Sequence, residues 1–372
     1  ASATTPEEKL AKIYEFCQTQ IMNLVYDRTM SKDARRKIKD SKNAGETLSR
    51  KMGRTSDIDQ LFGAMTTAAG FETHVAIAGY RNDLFFNRSM ANRYLIHIAA
   101  IAVKVDEEWR FFAPGDQFVP FGMLAWPEDG QDALIVNPSA PLWVKIPRSL
   151  PDKSQEKRTG KFRLLEDGTL DGDVRIEYTG QLGYLRKLNN YDDSVPEQEK
   201  TLTDEVKEAM STAELSNIHI ENVSDPVKTF AYSFHVRVPG YAQKTGKRLF
   251  VQPGFFKHGK GPLFTATERK YDLYFHHSWS EEDNILIDLP AGYSLENAEQ
   301  PAPITPEMTG GIALHNVRMG LSKDGKTLMY RRSFFFGGKG TIFFPKTAYR
   351  SVKEMFDRIR TADDHSLALR QP

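Results

Sequence analysis

The spacing of apolar residues changes once along this chain, and that change limits the possible folds more than any other feature. In the first 70 residues, apolar side chains recur every three or four positions, as they do on the buried face of a helix. From residue 73 onward, short runs of β-branched and aromatic residues alternate with Gly, Pro and Asp, which is typical of strands and turns. The sequence therefore predicts an α+β fold with helices first and antiparallel strands after them.

Three helices are predicted in the first part of the chain. The first begins at Pro6, and its apolar stripe is expected to face a core. The second, over residues 32–52, is rich in Lys, Arg and Glu and has the thin apolar face of a solvated surface helix. The third begins near residues 55–57, which offer N-cap chemistry, and stops at Gly70.

A change in composition after residue 150 predicts two domains. Residues 1–150 combine the helices with strands, whereas residues 151–372 form a β-sandwich followed by a short terminal helix near 351–361. A charged linker is predicted over 152–161. The strands expected beyond it, together with one helix over 198–210, lie at 173–179, 218–223, 229–238, 271–277, 284–289 and 328–336.

Charge and cysteine content exclude several classes of function. Fifty Lys and Arg against 49 Asp and Glu give a formal charge of +1, so no overall field favours nucleic acid. The single cysteine, Cys17, excludes an intrachain disulfide, a Cys-based zinc site and a redox pair. It lies on the first apolar stripe, where a buried, inert thiol is expected. No apolar run is long enough for a transmembrane segment, and no cofactor is expected.

Residues 53–71 carry the most informative motif. Gly53 is followed two positions later by Thr55 and then by Asp57, and the segment ends in Ala-Ala-Gly-Phe before a predicted strand. This segment resembles the nucleophile helix of bacterial transglutaminase-like domains, which have a papain-like core and the pattern Gly-x-Cys-x-Asp. In that family, the helix N-terminus stabilises a Cys thiolate, a His on a following strand acts as base, and an acid on the next strand orients that His.

The resemblance places the three catalytic positions on Thr55, His97 and Ala113. Two of the three catalytic residue types are therefore replaced. A Thr hydroxyl has a pKa far above that of a thiol, and a helix dipole, which contributes about 0.3–1 kcal/mol, cannot close that gap. The resemblance implies a retained scaffold without its chemistry, so these positions are vestigial and no catalytic residue is expected.

The resemblance extends over roughly the whole chain. Residues 167–186 and 287–293 match the sandwich that follows the core in bacterial proteins of unknown function, in which a second sandwich precedes the core. That preceding sandwich and a signal peptide are missing here, so we expect a processed product from the periplasm or a secreted protein. Its expected partner is a separate N-terminal sandwich fragment, another protein or a second copy of the chain.

Two other functions stay open. One is an active hydrolase or acyltransferase that uses Thr55 or Ser56 with His97, where Asp116 takes over the role of the lost acid at Ala113. The other is a carbohydrate-binding module on the β-sandwich, which requires a row of exposed aromatic residues. The polar insertion from Tyr80 to Arg93 is the best candidate surface for recognition.

The aromatic runs and the histidines of the second part of the chain each have a functional and a structural interpretation. The aromatic runs 334–336 and 343–344 are expected in the core rather than on a ligand platform. The histidines suggest a metal site, but neighbouring residues of a regular strand point to opposite faces, so His276 and His277 are not expected to share an ion. The other histidines considered with them are His235 and His258.

Overall fold

A computed structural model describes residues 3–82, 84–90, 92–296 and 299–371. The chain divides into two compact units, Ala1–Ser149 with Ser224–Lys228, and Leu150–Val223 with Thr229–Pro372. The domain boundary predicted at residues 150 and 151 stays a prediction, and this division assigns residues 224–228 to the first unit. The family identities predicted for the two domains stay predictions.

The first unit contains four helices and seven strands within the described residues. In chain order they are α1 (Pro6–Gln20), β1 (Met22–Asn23), α2 (Lys32–Lys37), α3 (Ala44–Arg50), β2 (Met52–Gly53), α4 (Thr55–Ala68), β3 (Thr73–Ala78), β4 (His97–Val105), β5 (Glu108–Phe112), β6 (Asp132–Ile135) and β7 (Leu142–Lys145).

Local chemistry accounts for the two main helices of this unit. The side chain of Thr5 caps α1 in a reciprocal pair with Glu8, and Pro6 occupies the first turn. Helix α4 ends before Gly70, whose φ of +94° suits a residue without a side chain. The single helix predicted over 32–52 is wrong, because the chain breaks there into α2 and α3 at a polar stretch with no apolar face to bury.

The described residues of the first unit form a five-stranded antiparallel sheet in the order β5-β4-β3-β6-β7. Helix α4 packs on this sheet, since Gly63 lies against the side chain of Ile101 in β4. A core cluster joins α1, α4 and the sheet, and includes Leu10, Tyr14, Phe62, Ile101 and Phe112. This packing fixes the N-terminus of α4 relative to the strands.

The second unit is dominated by strands. Its elements in chain order are β8 (Gln155–Leu164), β9 (Leu170–Tyr178), α5 (Gly180–Asn190), α6 (Val195–Ala209), β10 (Glu214–Glu221), β11 (Phe230–Val238), β12 (Gln243–Thr245), β13 (Arg248–Val251), β14 (Leu273–Tyr274), β15 (Trp279–Asp288), β16 (Ser294–Leu295), β17 (Ala313–Leu321), β18 (Thr327–Phe336), β19 (Phe343–Phe344), α7 (Tyr349–Asp363) and β20 (Leu367–Arg370).

Two sheets of this unit share one hydrophobic core. The larger has the order β10-β11-β9-β8-β15-β18-β17, and the smaller β12-β13-β20-β16. Phe162 and Leu170 of the larger sheet belong to the same core cluster as Leu249 and Leu369 of the smaller one, which is the arrangement of a β-sandwich. The pairing of β8 with β15 is parallel, so the larger sheet is not wholly antiparallel as predicted.

Three details of this unit differ from the predictions. The linker predicted over 152–161 is wrong, because most of it belongs to β8. The strand predicted over 271–277 shortens to β14, which pairs with β19. Helix α5 is an element that the sequence patterns do not predict. No helix in the described ranges has the length and apolar character needed to cross a membrane.

A buried ion cluster ties β8, β15, β18 and α7 together. Arg158 donates to Asp283 at 2.6 Å and to Glu281 at 2.9 Å. Arg332 donates to Glu281 at 2.7 Å and to both carboxylate oxygens of Asp363. All five residues are buried. Buried charges of this kind are tolerated only when each has a partner.

Candidate functional site

The three positions that the resemblance assigns to catalysis lie at the ends of their elements. Thr55 is the first residue of α4, His97 is the first residue of β4, and Ala113 directly follows β5. Since β5 pairs with β4 and α4 packs on β4, one helix and two adjacent strands carry the three positions. Ala113 is 4% exposed and belongs to an apolar cluster.

The loop after Ala113 is fixed against the start of α4. A Cβ atom on Gly115 would lie 2.1 Å from the carbonyl oxygen of Thr55, so only glycine permits this close approach. The Gly115 N–H donates to Oδ1 of Asp59 at 2.8 Å, and its carbonyl accepts from Nδ2 of Asn23 at 2.8 Å. The backbone of Thr55 therefore lies directly against the loop that follows Ala113.

His97 has an acidic partner that sequence reasoning missed. Its Nε2 lies 3.1 Å from Oε1 of Glu128, and the ring of Tyr80 meets the imidazole edge to face. Burial raises the pKa of Glu128, while the contact with His97 opposes that rise. Asp116, which only the alternative of an active enzyme assigns to the role of the lost acid, accepts a hydrogen bond from the Tyr26 hydroxyl at 2.9 Å.

The hydroxyl groups at the start of α4 are not engaged with a base. Within the described residues, neither Thr55 nor Ser56 makes a side-chain hydrogen bond, and Ser56 is exposed. In this arrangement His97 has an orienting carboxyl group, and within the described residues neither Thr55 nor Ser56 hydrogen-bonds to its imidazole. An activated Ser or Thr requires a base within hydrogen-bond reach.

Asp59 lies one turn beyond Thr55 on α4. Burial raises the pKa of its carboxyl group to about 8, the Gly115 N–H opposes the rise, and the negative charges of Asp116 and Glu128 add to it. Asp59 is therefore largely protonated at neutral pH. Sequence patterns alone gave no reason to single it out.

Cys17 is a buried residue of α1, as predicted. Burial raises the pKa of its thiol to about 12, so little thiolate exists at neutral pH. We expect no modification of the native protein by iodoacetamide at neutral pH and rapid modification in guanidinium, measured by intact mass. Rapid labelling of the native chain would contradict an inert thiol.

Exposed apolar side chains cluster in the described residues of 80–98, which we call the recognition segment. They include Tyr80, Phe85, Met90, Tyr94 at 82% exposure and Ile98 at 57%. The insertion predicted for recognition, from Tyr80 to Arg93, lies within it, although residues 83 and 91 are outside the described residues. Tyr, Phe, Met and Arg are the residue types enriched in protein interfaces.

Comparison with known proteins shows similarity to one domain family over part of the chain and to one solved structure at low sequence identity. Residues 247–369 match the model of a domain of unknown function with a solved structure, DUF3858, which is about a third of the chain. No curated protein matches. A crystal structure of a "putative protease" from Parabacteroides distasonis aligns with a TM-score of 0.51 at 12% identity, covering 99% of this chain and 53% of that one. The chain thus spans about half the length of that protein, and the likeness concerns the fold alone.

The remaining sequence-derived candidates lie in the second unit. Phe334, Phe336 and Phe344 are buried, which confirms their predicted place in the core, whereas Phe335 is only partly buried and Phe343 is exposed. His276 and His277 lie in a bend between β14 and β15 rather than in a strand. His235 contacts Asp173 and Asp171 at the surface. In the part of the chain that is described, no three His, Cys, Asp or Glu side chains form a metal-binding group.

Proposed function

We propose that the first unit is a transglutaminase-like domain that has lost its nucleophile and acts by binding a protein partner. The observation that carries this proposal is the start of α4, where the Thr55 hydroxyl has no hydrogen bond to a base in the described structure. The side chain of Ala113 supports the proposal, because it lies in an apolar cluster and supplies no carboxylate at the family's third position.

The test of this proposal is the activity of the unaltered chain. We expect no amide hydrolysis and no labelling by serine- or cysteine-directed probes beyond that of the His97→Ala variant. His97→Ala is the suitable comparison because it removes the imidazole that any base-assisted mechanism here requires. Amidase activity that is present in the unaltered chain and lost in His97→Ala would refute the loss of catalysis.

Restoring the nucleophile alone is expected to give little activity. Thr55→Cys supplies a thiol at a helix N-terminus, but Ala113 provides no acid at the family's third position, and the carboxyl partner of His97, Glu128, lies in the loop between β5 and β6 instead. Because members of a catalytic group act together, the double variant Thr55→Cys with Ala113→Asp should exceed the single variant in peptide-amidase rate. Equal rates would show that position 113 has no part in such a site.

The recognition segment is the proposed binding surface. The Arg93 guanidinium lies 5.2 Å from the centre of the Tyr94 ring, so this exposed tyrosine is part of a mixed basic and apolar surface. We propose self-association as the first form of binding to test, by light scattering over a wide concentration range. Tyr94→Glu should lower the particle mass, whereas Tyr271→Glu, a 73% exposed tyrosine of the second unit, should not. A strictly monomeric unaltered chain would contradict self-association.

Peptide hydrolysis is the second candidate. The contact between His97 and Glu128 favours it, since an oriented imidazole can act as a general base. The structural neighbour described as a protease adds to this candidate only at the level of fold. The same comparison of the unaltered chain with His97→Ala separates the two functions.

A further inference from the structure

A cavity of about 440 Å³ lies within the second unit. Its lining comes from α6, from the turn Phe255–Lys257, from strands β15 and β18, and from α7. Cavities of this size, with apolar walls and a few placed polar groups, are the usual sites of small-molecule binding. Neither the predicted function nor the family match assigns a role to it.

Aromatic side chains form much of the cavity wall. They are Tyr178, Phe255, Phe256, Trp279, Phe334 and Phe356. Such rings offer a large apolar surface to the flat or branched body of a ligand. The presence of Trp279 also provides a fluorescent reporter in the wall itself.

One polar group stands out against these walls. Nζ of Lys257 lies 2.5 Å from Oε2 of Glu281. The same oxygen accepts from Arg332 and Arg158 of the buried ion cluster, and Trp279 donates to the other oxygen. Three cations thus share one carboxylate and hold the pKa of Glu281 well below its usual range, although burial alone would raise it.

Of the three cations, Lys257 is the one with a single carboxylate partner in the described residues. Arg158 also binds Asp283, and Arg332 also binds Asp363. Lys257 has three N–H donors, and within the described residues Glu281 is its only side-chain partner. Its side chain is 21% exposed and lines the cavity. Burial lowers the pKa of Lys257, so an anion beside it would favour its charged form.

The other acidic groups of the lining already have cations. Glu156 pairs with Arg158 at 3.5 Å, and Asp363 binds Arg332. Glu205 accepts from Arg186 at 2.8 Å, and Oδ2 of Asp364 lies 3.6 Å from Nε of Arg360. Lys260 also lines the cavity, and no ion pair of Lys260 occurs within the described ranges. Among the charged side chains of the lining, the available hydrogen-bonding capacity is therefore that of positively charged donors, which favours an anionic head group over a cationic one.

We propose that this cavity binds a small organic anion, with its acidic group on Lys257 and an aromatic or branched aliphatic body against the rings of the wall. The contact with Lys257 fixes the orientation of the ligand, and the rings supply the apolar burial. This site lies in the second unit and does not depend on the proposed loss of catalysis in the first.

The test uses two fluorescent probes that differ in charge. Anilinonaphthalene sulfonate carries an aromatic body and an anion, whereas N-phenylnaphthylamine has a similar body without charge. We expect one saturable sulfonate site per chain, weaker binding of the neutral probe, and displacement of the sulfonate by naphthoate. Binding should quench the fluorescence of Trp279. Absence of saturable binding, or equal binding of both probes, would overturn the proposal.

A variant and a footprint locate the site. Lys257→Met keeps the apolar stem, leaves Arg158 and Arg332 on Glu281, and should weaken sulfonate binding by about tenfold or more with little effect on the neutral probe. Lys161→Met, at an exposed position of β8, should change neither. In the unaltered chain, naphthoate should protect Lys257 but not Lys161 from acetylation, measured by mass spectrometry. Unprotected Lys257 would refute the site even if the variant failed to fold.

Discussion

Replacing Glu281 with Gln is expected to lower the free energy of unfolding of the second unit by about 3–5 kcal/mol. The reason is that Oε2 of Glu281 contacts Arg158, Arg332 and Lys257 at 2.9, 2.7 and 2.5 Å. The amide of Gln carries no charge to offset these three cations in a buried site. Guanidinium-induced unfolding and hydrogen exchange of the β15 amides would measure the loss.

The matched control is Glu296→Gln. Glu296 pairs with Arg248 at 2.6 Å, but both side chains are partly exposed, so we expect a change below about 1 kcal/mol. Combining Glu281→Gln with Lys257→Met removes one charge of each sign and should recover part of the loss. An equal effect of Glu281→Gln and Glu296→Gln would show that burial of the cluster has no energetic consequence.

Replacing Asp59 with Asn is expected to change how the stability of the first unit depends on pH. The folded-state pKa of Asp59 is about 8, whereas an unfolded Asp titrates near 3.9. Between about pH 3.9 and 8 the folded chain holds a proton on Asp59 that the unfolded chain has lost. The contribution of Asp59 to the free energy of unfolding is therefore complete below the lower pH and decreases as pH rises to about 8. The Asn side chain cannot ionise, and its oxygen can accept from the Gly115 N–H as Asp59 does.

The stability advantage of the Asp59→Asn variant over the unaltered chain should therefore grow between about pH 4 and 8, with a slope approaching about 1.4 kcal/mol per pH unit, and level off above. Urea unfolding at a series of pH values measures it. Subtracting the variant from the unaltered chain removes the contribution of Glu128, whose pKa is also raised, except for the part that comes from its repulsion with Asp59. Asp33→Asn, at an exposed position of α2, is the control. Parallel pH profiles of the unaltered chain and the Asp59→Asn variant would refute a protonated Asp59.

The sequence predicts those helices and strands that depend on residues close to one another in the chain. Helices α1 and α4 follow from their caps, their apolar spacing and Gly70, and most of the long strands follow from runs of β-branched and aromatic residues. The approach of Gly115 to Thr55 could be anticipated only through the family resemblance, because no spacing rule links a loop to a helix start 60 positions earlier.

The features that sequence reasoning missed depend on distant partners. The sequence predicts a linker at β8 because several residues of this strand are charged, so that polar and apolar residues do not alternate as in a typical strand. Arg158 points inward there only because Asp283 and Glu281, more than 120 positions later, neutralise it. Glu128 likewise meets His97 across 31 positions. A charged residue is normally assigned to the surface, and three-dimensional pairing alone reverses that assignment.

The parallel pairing of β8 with β15 has a consequence during synthesis on the ribosome. One edge of β8 pairs with β9, which is synthesised directly after it. The other edge of β8 pairs with β15, which is synthesised about 125 residues later. Until then a nascent chain presents an open strand edge and an uncompensated Arg158, and such edges recruit other strands. A pairing of this sequence separation also forms slowly. The interval between the synthesis of these two strands is therefore the one in which we expect the growing chain to be most prone to aggregation.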